Sequence, residues 1–310
     1  MRISVYCVWL IGLVWAGNAA LAADGHGIPA EESARHTTFA SDSALIPLQK
    51  AGNLLLLECT VEGETGLFIL DSGASNLVLN ETYFRGLRGT EEVATAGIDG
   101  NGSARRVVVD KLQCGDFSCA NLRADVTDLG AIEAKRGVKI YGLFGLDLLR
   151  DCNTTLDVRN RLLILHPKEK NSLQPRKADL TCAIELTTEA LFVDVGIAGI
   201  EMTWAFDTGA ELNVIDTRVP AEVLATVRIR KRSVMTGSSG RDVEVLVGSL
   251  ERLDLCEKHF DAVPVLVTKL DRLGEVYRRK ISGIIGVALL ERGVVEINLQ
   301  TNTFSMYLYD

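Results

Sequence analysis

The central motif of this chain is Leu67-Phe68-Ile69-Leu70-Asp71-Ser72-Gly73-Ala74-Ser75, an apolar run that ends in a carboxylate, a hydroxyl residue and glycine. One such triplet is weak evidence, because it arises by chance in roughly one chain in ten of this length. The second half repeats it as Thr203-Trp204-Ala205-Phe206-Asp207-Thr208-Gly209-Ala210-Glu211. Two copies of one carboxylate suggest a single site built from Asp71 and Asp207.

The repeat continues beyond the triplets. Residues 55–74 align on 191–210 without a gap, 136 positions apart. Each copy reads as strand, glycine turn and strand, with the carboxylate at the end of the second strand. Residues 142–149 match 283–290, 141 positions apart, and both begin with two glycines that flank two apolar residues (G-φ-φ-G). Two copies predict a duplicated domain rather than a solenoid.

The remaining sequence predicts an all-β protein with little helix, because segments rich in Val, Leu and Ile alternate with glycine turns. The clearest helix candidates are residues 145–150 and 286–292, and a weaker one is 217–227. We expect two domains of similar size, at residues 44–165 and 180–310.

Three further segments lie outside these domains. The polar, proline-bearing residues 166–179 predict a linker, and the small polar residues 23–43 predict a disordered arm. Residues 1–22 are typical of a signal peptide, with a positive charge at Arg2, a short apolar run and an A-x-A-like end. The apolar run is too short to span a bilayer comfortably. We therefore expect export to the periplasm or the medium without a stable membrane anchor; the alternative is a retained N-terminal anchor.

The net charge is −8 at pH 7, and about −9 without Arg2. An acidic chain that lacks a large cluster of Lys and Arg binds nucleic acid poorly, so we expect no nucleic-acid partner. The short basic run at residues 228–232 is more typical of a solvated edge than of a docking site.

Six cysteines follow residue 22, an even number that suits an oxidising compartment. Six cysteines allow fifteen pairings, and only Cys114 and Cys119 can be paired on local grounds, because they flank a turn-like stretch. The alternative is a set of free cysteines packed as small hydrophobic residues.

Two carboxyl groups held a few ångströms apart share one proton, because ionising both is costly. The charged group can take a proton from water while the neutral group donates to a carbonyl oxygen, which is general acid–base hydrolysis of an amide. Ser72 and Thr208 offer hydroxyls that can tie the two loops together. Gly73 and Gly209 permit tight turns and a close approach of backbone N–H groups.

The triplets, the apolar strands before them and the two G-φ-φ-G segments resemble the retropepsin/pepsin-like aspartic proteases, in particular exported bacterial proteins of this type. The resemblance covers residues 46–165 and 181–308. It implies two tandem retropepsin-like (acid protease) β-barrel domains that form a pseudo-twofold pair, with Asp71 and Asp207 as the active dyad. It also implies a β-hairpin flap that closes over an extended peptide.

Glycine-rich segments at matching places in the two halves are the flap candidates. Neither holds the tyrosine found in pepsin flaps. Glycines suit a mobile lid, but they are equally typical of ordinary hairpin tips. The predicted substrate-binding residues are Gly97, Ile98, Gly100, Gly102, Gly237, Ser238 and Gly240.

The sequence predicts neither a metal nor a cofactor. Its four histidines lack the spacing of a zinc hydrolase. Asp99, Asn101 and Ser103 superficially resemble a calcium loop, but Ala104 occupies the position that needs glycine and two arginines follow it. Phosphate-binding loops and G-x-S-x-G elbows are not found.

The favoured function is an aspartic endopeptidase, a monomer whose single site lies between its halves and acts on a peptide or protein. One alternative is a non-catalytic protein of the same fold that binds peptides by strand addition. Loss of the Asp or Gly from one triplet would favour this non-catalytic alternative, but both triplets are intact. Another alternative is a homodimeric protease in which each half forms a separate site.

Overall fold

The computed structural model describes residues 8–10, 14–15, 35–97, 100–169, 176–237 and 241–310. Strands make up 58% and helices 11% of the structure, which includes a closed β-barrel, so the predicted all-β class is confirmed. Among the described residues, the helices are all too short or too polar to cross a bilayer.

The first half consists of β-strands and three short helices. Two strands precede them near the N-terminus. In chain order the elements are β1 (Val8–Leu10), β2 (Val14–Trp15), β3 (His36–Phe39), β4 (Ala44–Ala51), β5 (Leu54–Val61), β6 (Glu64–Leu70), β7 (Leu77–Asn80), α1 (Glu81–Phe84), β8 (Gly89–Gly97), β9 (Gly100–Cys114), β10 (Phe117–Thr127), α2 (Gly130–Arg136), β11 (Gly142–Phe144), α3 (Leu146–Leu149), β12 (Cys152–Asp157) and β13 (Leu162–Pro167).

The second half repeats this order of elements with small changes. Its elements are β14 (Leu180–Ala183), β15 (Glu185–Leu186), β16 (Leu191–Ile197), β17 (Ile200–Phe206), β18 (Asn213–Asp216), α4 (Ala221–Leu224), β19 (Val227–Gly237), β20 (Asp242–Leu255), β21 (Lys258–Thr268), α5 (Asp271–Val276), β22 (Gly283–Ile285), α6 (Val287–Leu290), β23 (Gly293–Asn298) and β24 (Thr303–Leu308).

The hairpin that leads to each triplet has the same two-residue turn. Glu62 and Gly63 have φ angles of 51° and 83°, and Ala198 and Gly199 have 53° and 75°. Positive φ at both positions matches the twist of the flanking strands, which is why such turns favour hairpins. The aligned hairpins therefore fold in the same way locally.

The two halves share a sheet and a core. Strand β12 of the first half pairs antiparallel with β23 of the second, with Leu156 opposite Val295. Beneath this sheet, one continuous hydrophobic cluster contains Phe68 and Leu165 from the first half and Trp204 from the second. Burial of apolar surface, which stabilises by about 25 cal/mol per Å², therefore favours docking of the halves.

The helix candidates at residues 145–150 and 286–292 are confirmed as α3 and α6, and α4 lies within 217–227. The sequence did not predict α1, α2 and α5. Helices α2 and α5 begin after Leu129 and Leu270, whose side chains cannot cap a helix. Both helices therefore lack the usual sequence signal at their start.

The predicted disordered arm is wrong for its last part. Residues 36–39 form strand β3, which pairs antiparallel with β10, and Arg35 forms ion pairs with Asp147 and Asp151. Residues 23–34 lie outside the described residues, as does most of the predicted signal peptide. The predicted linker begins inside a strand, because β13 extends to Pro167.

The predicted pairing of Cys114 with Cys119 is wrong. In the β9–β10 hairpin, Cys114 lies opposite Phe117, so Cys119 cannot face it across the turn. Strand β5 instead pairs with β9 next to Cys114, and the disulfides are Cys59–Cys114 and Cys182–Cys256. The other two described cysteines, Cys119 and Cys152, are free and buried.

Candidate active site

Each triplet begins at the end of a buried strand and turns back at once. Asp71 follows β6, its N–H donates to Phe144 O (3.0 Å), and its Oδ1 accepts from the N–H groups of Gly73 (2.9 Å) and Ala74 (3.1 Å). The carboxylate is thus held by the backbone of its own loop.

The second triplet is built in the same way. Asp207 follows β17, its N–H donates to Ile285 O (2.9 Å), and its Oδ1 accepts from Gly209 N–H (2.8 Å). The repeated sequence therefore produces a repeated loop.

The G-φ-φ-G segments lie directly beneath the loops. Strand β11 runs between β6 and β7, and β22 runs between β17 and β18. A Cβ atom at Gly145 would lie 2.2 Å from Asn76 O, and one at Gly286 would lie 2.6 Å from Ala210 O. Glycine at these two positions lets the helices α3 and α6 start against the triplet loops.

Reciprocal hydrogen bonds join the two loops. Ser72 N–H donates to Thr208 Oγ1 (2.9 Å), and Thr208 N–H donates to Ser72 Oγ (3.1 Å). Each hydroxyl then donates to the strand before the opposite triplet, Thr208 to Leu70 O (3.0 Å) and Ser72 to Phe206 O (3.2 Å). All four bonds are buried, so each hydroxyl satisfies groups in both halves.

The carboxyl groups of Asp71 and Asp207 lie close together and are buried, close enough for the charge of Asp207 to raise the pKa of Asp71. Their exposed fractions are 0% and 4%. A Cβ atom at Gly73 would lie 2.6 Å from Asp207 Cγ, so only glycine lets the first loop approach the second carboxyl this closely. Among the described residues, no N–H or O–H group donates to the buried Asp71 Oδ2, so this oxygen is available to a proton, a water molecule or a substrate group.

Burial raises the pKa of both carboxyl groups. The pKa of Asp71 lies well above its usual range, because burial and then the charge of Asp207 favour its neutral form. Burial raises the pKa of Asp207 to about 6, opposed by the Gly209 N–H and by the hydrogen bond with Asp71, which favour its charged form. Both groups therefore hold a proton to a higher pH than an ordinary aspartate does.

The flap candidates lie at the tips of two long hairpins. Gly97 pairs with Gly100 at the β8–β9 tip, Gly102 lies opposite Thr95, and Gly237 ends β19. Ile98, Ser238 and Gly240 lie outside the described residues. Near both tips the hairpins accept an added strand from the N-terminal segment. Strand β2 pairs antiparallel with β8, and β1 pairs parallel with β19.

Sequence reasoning missed an ion pair beside the second triplet. Arg136, at the end of α2, pairs with Glu211, and their side chains are 10% and 7% exposed. The other carboxylate oxygen of Glu211 accepts from Asn53 N–H (2.8 Å). The one available signal was the acidic Glu211 after the triplet, at a place where the first copy has Ser75.

Tyr277 was also missed. It follows α5 and its ring packs edge-on against Phe192, with centroids 5.3 Å apart. Burial and the charges of Asp207 and Asp71 raise the pKa of its hydroxyl, so it remains a neutral phenol.

No group of three or more His, Cys, Asp or Glu side chains in the described part of the chain is arranged to hold a metal ion. The site instead consists of two carboxyls, the backbone N–H groups around them and the two loop hydroxyls. Such a set can move protons to and from a substrate.

Two neighbouring buried carboxyls on matching loops are typical of aspartic proteases. Residues 57–148 match the family model described as aspartyl protease, which assigns this stretch to an aspartyl protease family of the retropepsin type. The match includes the first triplet, its G-φ-φ-G segment and the β8–β9 hairpin, and it confirms the resemblance for this part of the first half. Among curated proteins, none matches the chain significantly.

Proposed function

We propose that this protein is an aspartic endopeptidase with one active site, formed by Asp71 from the first half and Asp207 from the second. The observation that carries the proposal is the close approach of two buried carboxyl groups on loops that are joined by reciprocal hydrogen bonds, with Gly73 packed against the carboxyl of Asp207. Two buried carboxyls with only a structural role would more commonly be paired with cations than placed next to each other.

The proposed reaction uses the shared proton. Asp207, with the lower pKa, accepts a proton from a water molecule as that water attacks the carbonyl carbon of the peptide bond. Asp71 donates its proton to the carbonyl oxygen, which gives a neutral tetrahedral diol. Asp207 then donates the proton that it took from water to the amide nitrogen, and Asp71 accepts a proton from one diol hydroxyl as the C–N bond breaks, so the dyad again holds one proton.

We propose that the two halves form a pseudo-twofold pair around this dyad, with domains at residues 44–165 and 180–310. Support comes from the matched loops, the reciprocal hydroxyl bonds and the sheet shared through β12 and β23. A twofold relation places equivalent groups opposite each other, so it would bring the two copies of the carboxylate together in one site.

We propose that the substrate is an extended peptide that adds to the flap strands. The pairing of β1 with β19 and of β2 with β8 supports this, because an extended segment already lies along each of these strands. A monomer, cleavage of residues 1–22 as a signal peptide and export to the periplasm or the medium remain part of the proposal.

The test is cleavage of denatured casein by the wild-type protein and by the double variant Asp71→Asn/Asp207→Asn. We expect fragments with the wild type and a loss of at least about 10³-fold in the variant, since both proton-transfer groups are gone. Asp110→Asn is the matched control, because Asp110 is exposed on β9. Equal cleavage by the double variant, or none by the wild type, would reject the proposal.

A further inference from the structure

The internal repeat makes Arg136 and Tyr277 equivalent positions, 141 residues apart, at the ends of α2 and α5. It likewise makes Ser75 and Glu211 equivalent, 136 residues apart. Arg136 of the first half forms an ion pair with Glu211 of the second half, and both side chains are largely buried. This corner of the candidate site is therefore filled by an internal ion pair.

The opposite corner is built differently. Ser75 Oγ donates to Glu189 O at 3.4 Å, so its hydroxyl contacts backbone rather than the side chain at the end of α5. Tyr277 packs against Phe192 and on a cluster that includes Ala210, the residue directly after the second triplet. Its ring is thus fixed beside the loop that holds Asp207.

The Tyr277 hydroxyl has no hydrogen-bond partner among the described residues. Burial raises the pKa of this hydroxyl, and the charges of Asp207, Asp71 and Glu189 add to the rise, so the O–H keeps its proton. The neutral phenol is therefore a half-buried donor that no described residue satisfies, which leaves its O–H free to donate to a ligand.

A peptide segment passes this corner in the structure. Helix α5 contacts β8 of the first half, and strand β2, which pairs with the edge of β8, contacts α5 as well. An extended backbone bound to the flap edge therefore runs past the helix that Tyr277 follows. Its carbonyl groups are the acceptors that the phenol lacks.

We propose that Tyr277 is a substrate-binding residue that donates a hydrogen bond from its hydroxyl to a backbone carbonyl of the peptide held at the dyad. Neither flap candidate contains a tyrosine. The only phenol in this proposal is that of Tyr277, at the end of α5 in the second half. Its counterpart Arg136 cannot do this, because Glu211 occupies its guanidinium group. The inference rests on the proposed function, since it needs a peptide in that site.

The test uses Tyr277→Phe, which keeps the ring and its packing and removes only the O–H. We expect kcat/KM for denatured casein to fall about 3- to 10-fold, the usual effect of one neutral hydrogen bond, while the melting temperature is unchanged. Tyr309→Phe is the matched control, because the Tyr309 O–H donates to Asp157, in the sheet shared by the halves. This control should retain wild-type kcat/KM.

A second readout separates this inference from the proposed function. Binding of pepstatin, a peptide-like inhibitor with backbone carbonyls, is measured by calorimetry on the wild type and both Phe variants. Weaker binding by Tyr277→Phe alone supports the inference even if casein is not cleaved. A kcat/KM within twofold of wild type in a protein that cleaves casein, or equal binding (including none) by all three proteins, would overturn it.

Discussion

Burial raises the pKa of both Asp71 and Asp207. Because the two carboxyl groups are close together, they are proposed to share one proton. The proposed working form carries a single proton, so a second proton removes the base. Asp207 takes up that proton with a pKa of about 6. The acidic limb of the pH–activity curve is therefore controlled by this group.

We expect kcat/KM to be half-maximal near pH 6 and to fall about tenfold per pH unit below it. Activity should persist at neutral pH, because the pKa of Asp71 lies well above its usual range. The measurement is kcat/KM for casein from pH 3 to 9 at constant ionic strength. An optimum near pH 3 would contradict this assignment.

The raised pKa values also predict how stability depends on pH. A carboxyl whose pKa is higher in the folded state stabilises the protein below its unfolded pKa, and this contribution is lost as pH rises through the folded value. Asp71→Asn removes such a group. The variant should melt about 2–4 °C above the wild type at pH 7.5, and the difference should shrink towards pH 4. A lower melting temperature at pH 7.5 would show that the dyad stabilises the fold.

At the scale of elements, the end of α2 ties the first half to the second triplet loop. Loss of one partner from a buried ion pair costs about 3–5 kcal/mol, because the other charge stays buried. Arg136→Leu should therefore lower the free energy of unfolding by about this amount, measured in urea. Arg136→Leu/Glu211→Leu should recover most of the loss.

The control for this ion pair is Arg228→Leu. Arg228 pairs with Glu251 on the surface, with side chains 79% and 48% exposed, and such pairs contribute about 0–1 kcal/mol. Equal destabilisation by Arg136→Leu and Arg228→Leu would mean that the buried pair does not tie the halves together.

The N-terminal strands β1 and β2 pair with β19 and β8, along which a substrate is proposed to bind. A chain that starts at residue 23 should therefore cleave casein faster than the full-length chain, with a lower KM and a similar kcat. The two chains are compared at equal concentration over a range of casein. Identical KM values would show that β1 and β2 do not compete with substrate.

Local patterns predicted part of the fold and of the site, and contacts distant in sequence explain the rest. The triplets, their hairpins and the helices α3 and α6 follow from gapless repeats and short-range periodicity. The Cys59–Cys114 disulfide depends on β5 lying against β9, which local spacing does not indicate. Arg136 and Tyr277 lie at the ends of helices α2 and α5, and neither helix begins with a capping side chain that the sequence would reveal.

The whole molecule unites its halves through one core and one shared sheet, and the proposed site needs both. In this one-site account each Asp is required, whereas separate sites in a homodimer would leave one site intact when the other is changed. The two accounts also differ when proteins that carry different substitutions are mixed.

The most direct measurement is the residual casein cleavage by Asp71→Asn and by Asp207→Asn, each alone and in an equimolar mixture. We predict that each variant retains less than about 0.1% of wild-type kcat/KM. The mixture should be no more active, because each chain carries its own incomplete dyad. Half of the wild-type activity in either single variant, or recovery of activity on mixing, would contradict a site formed by Asp71 and Asp207 of one chain.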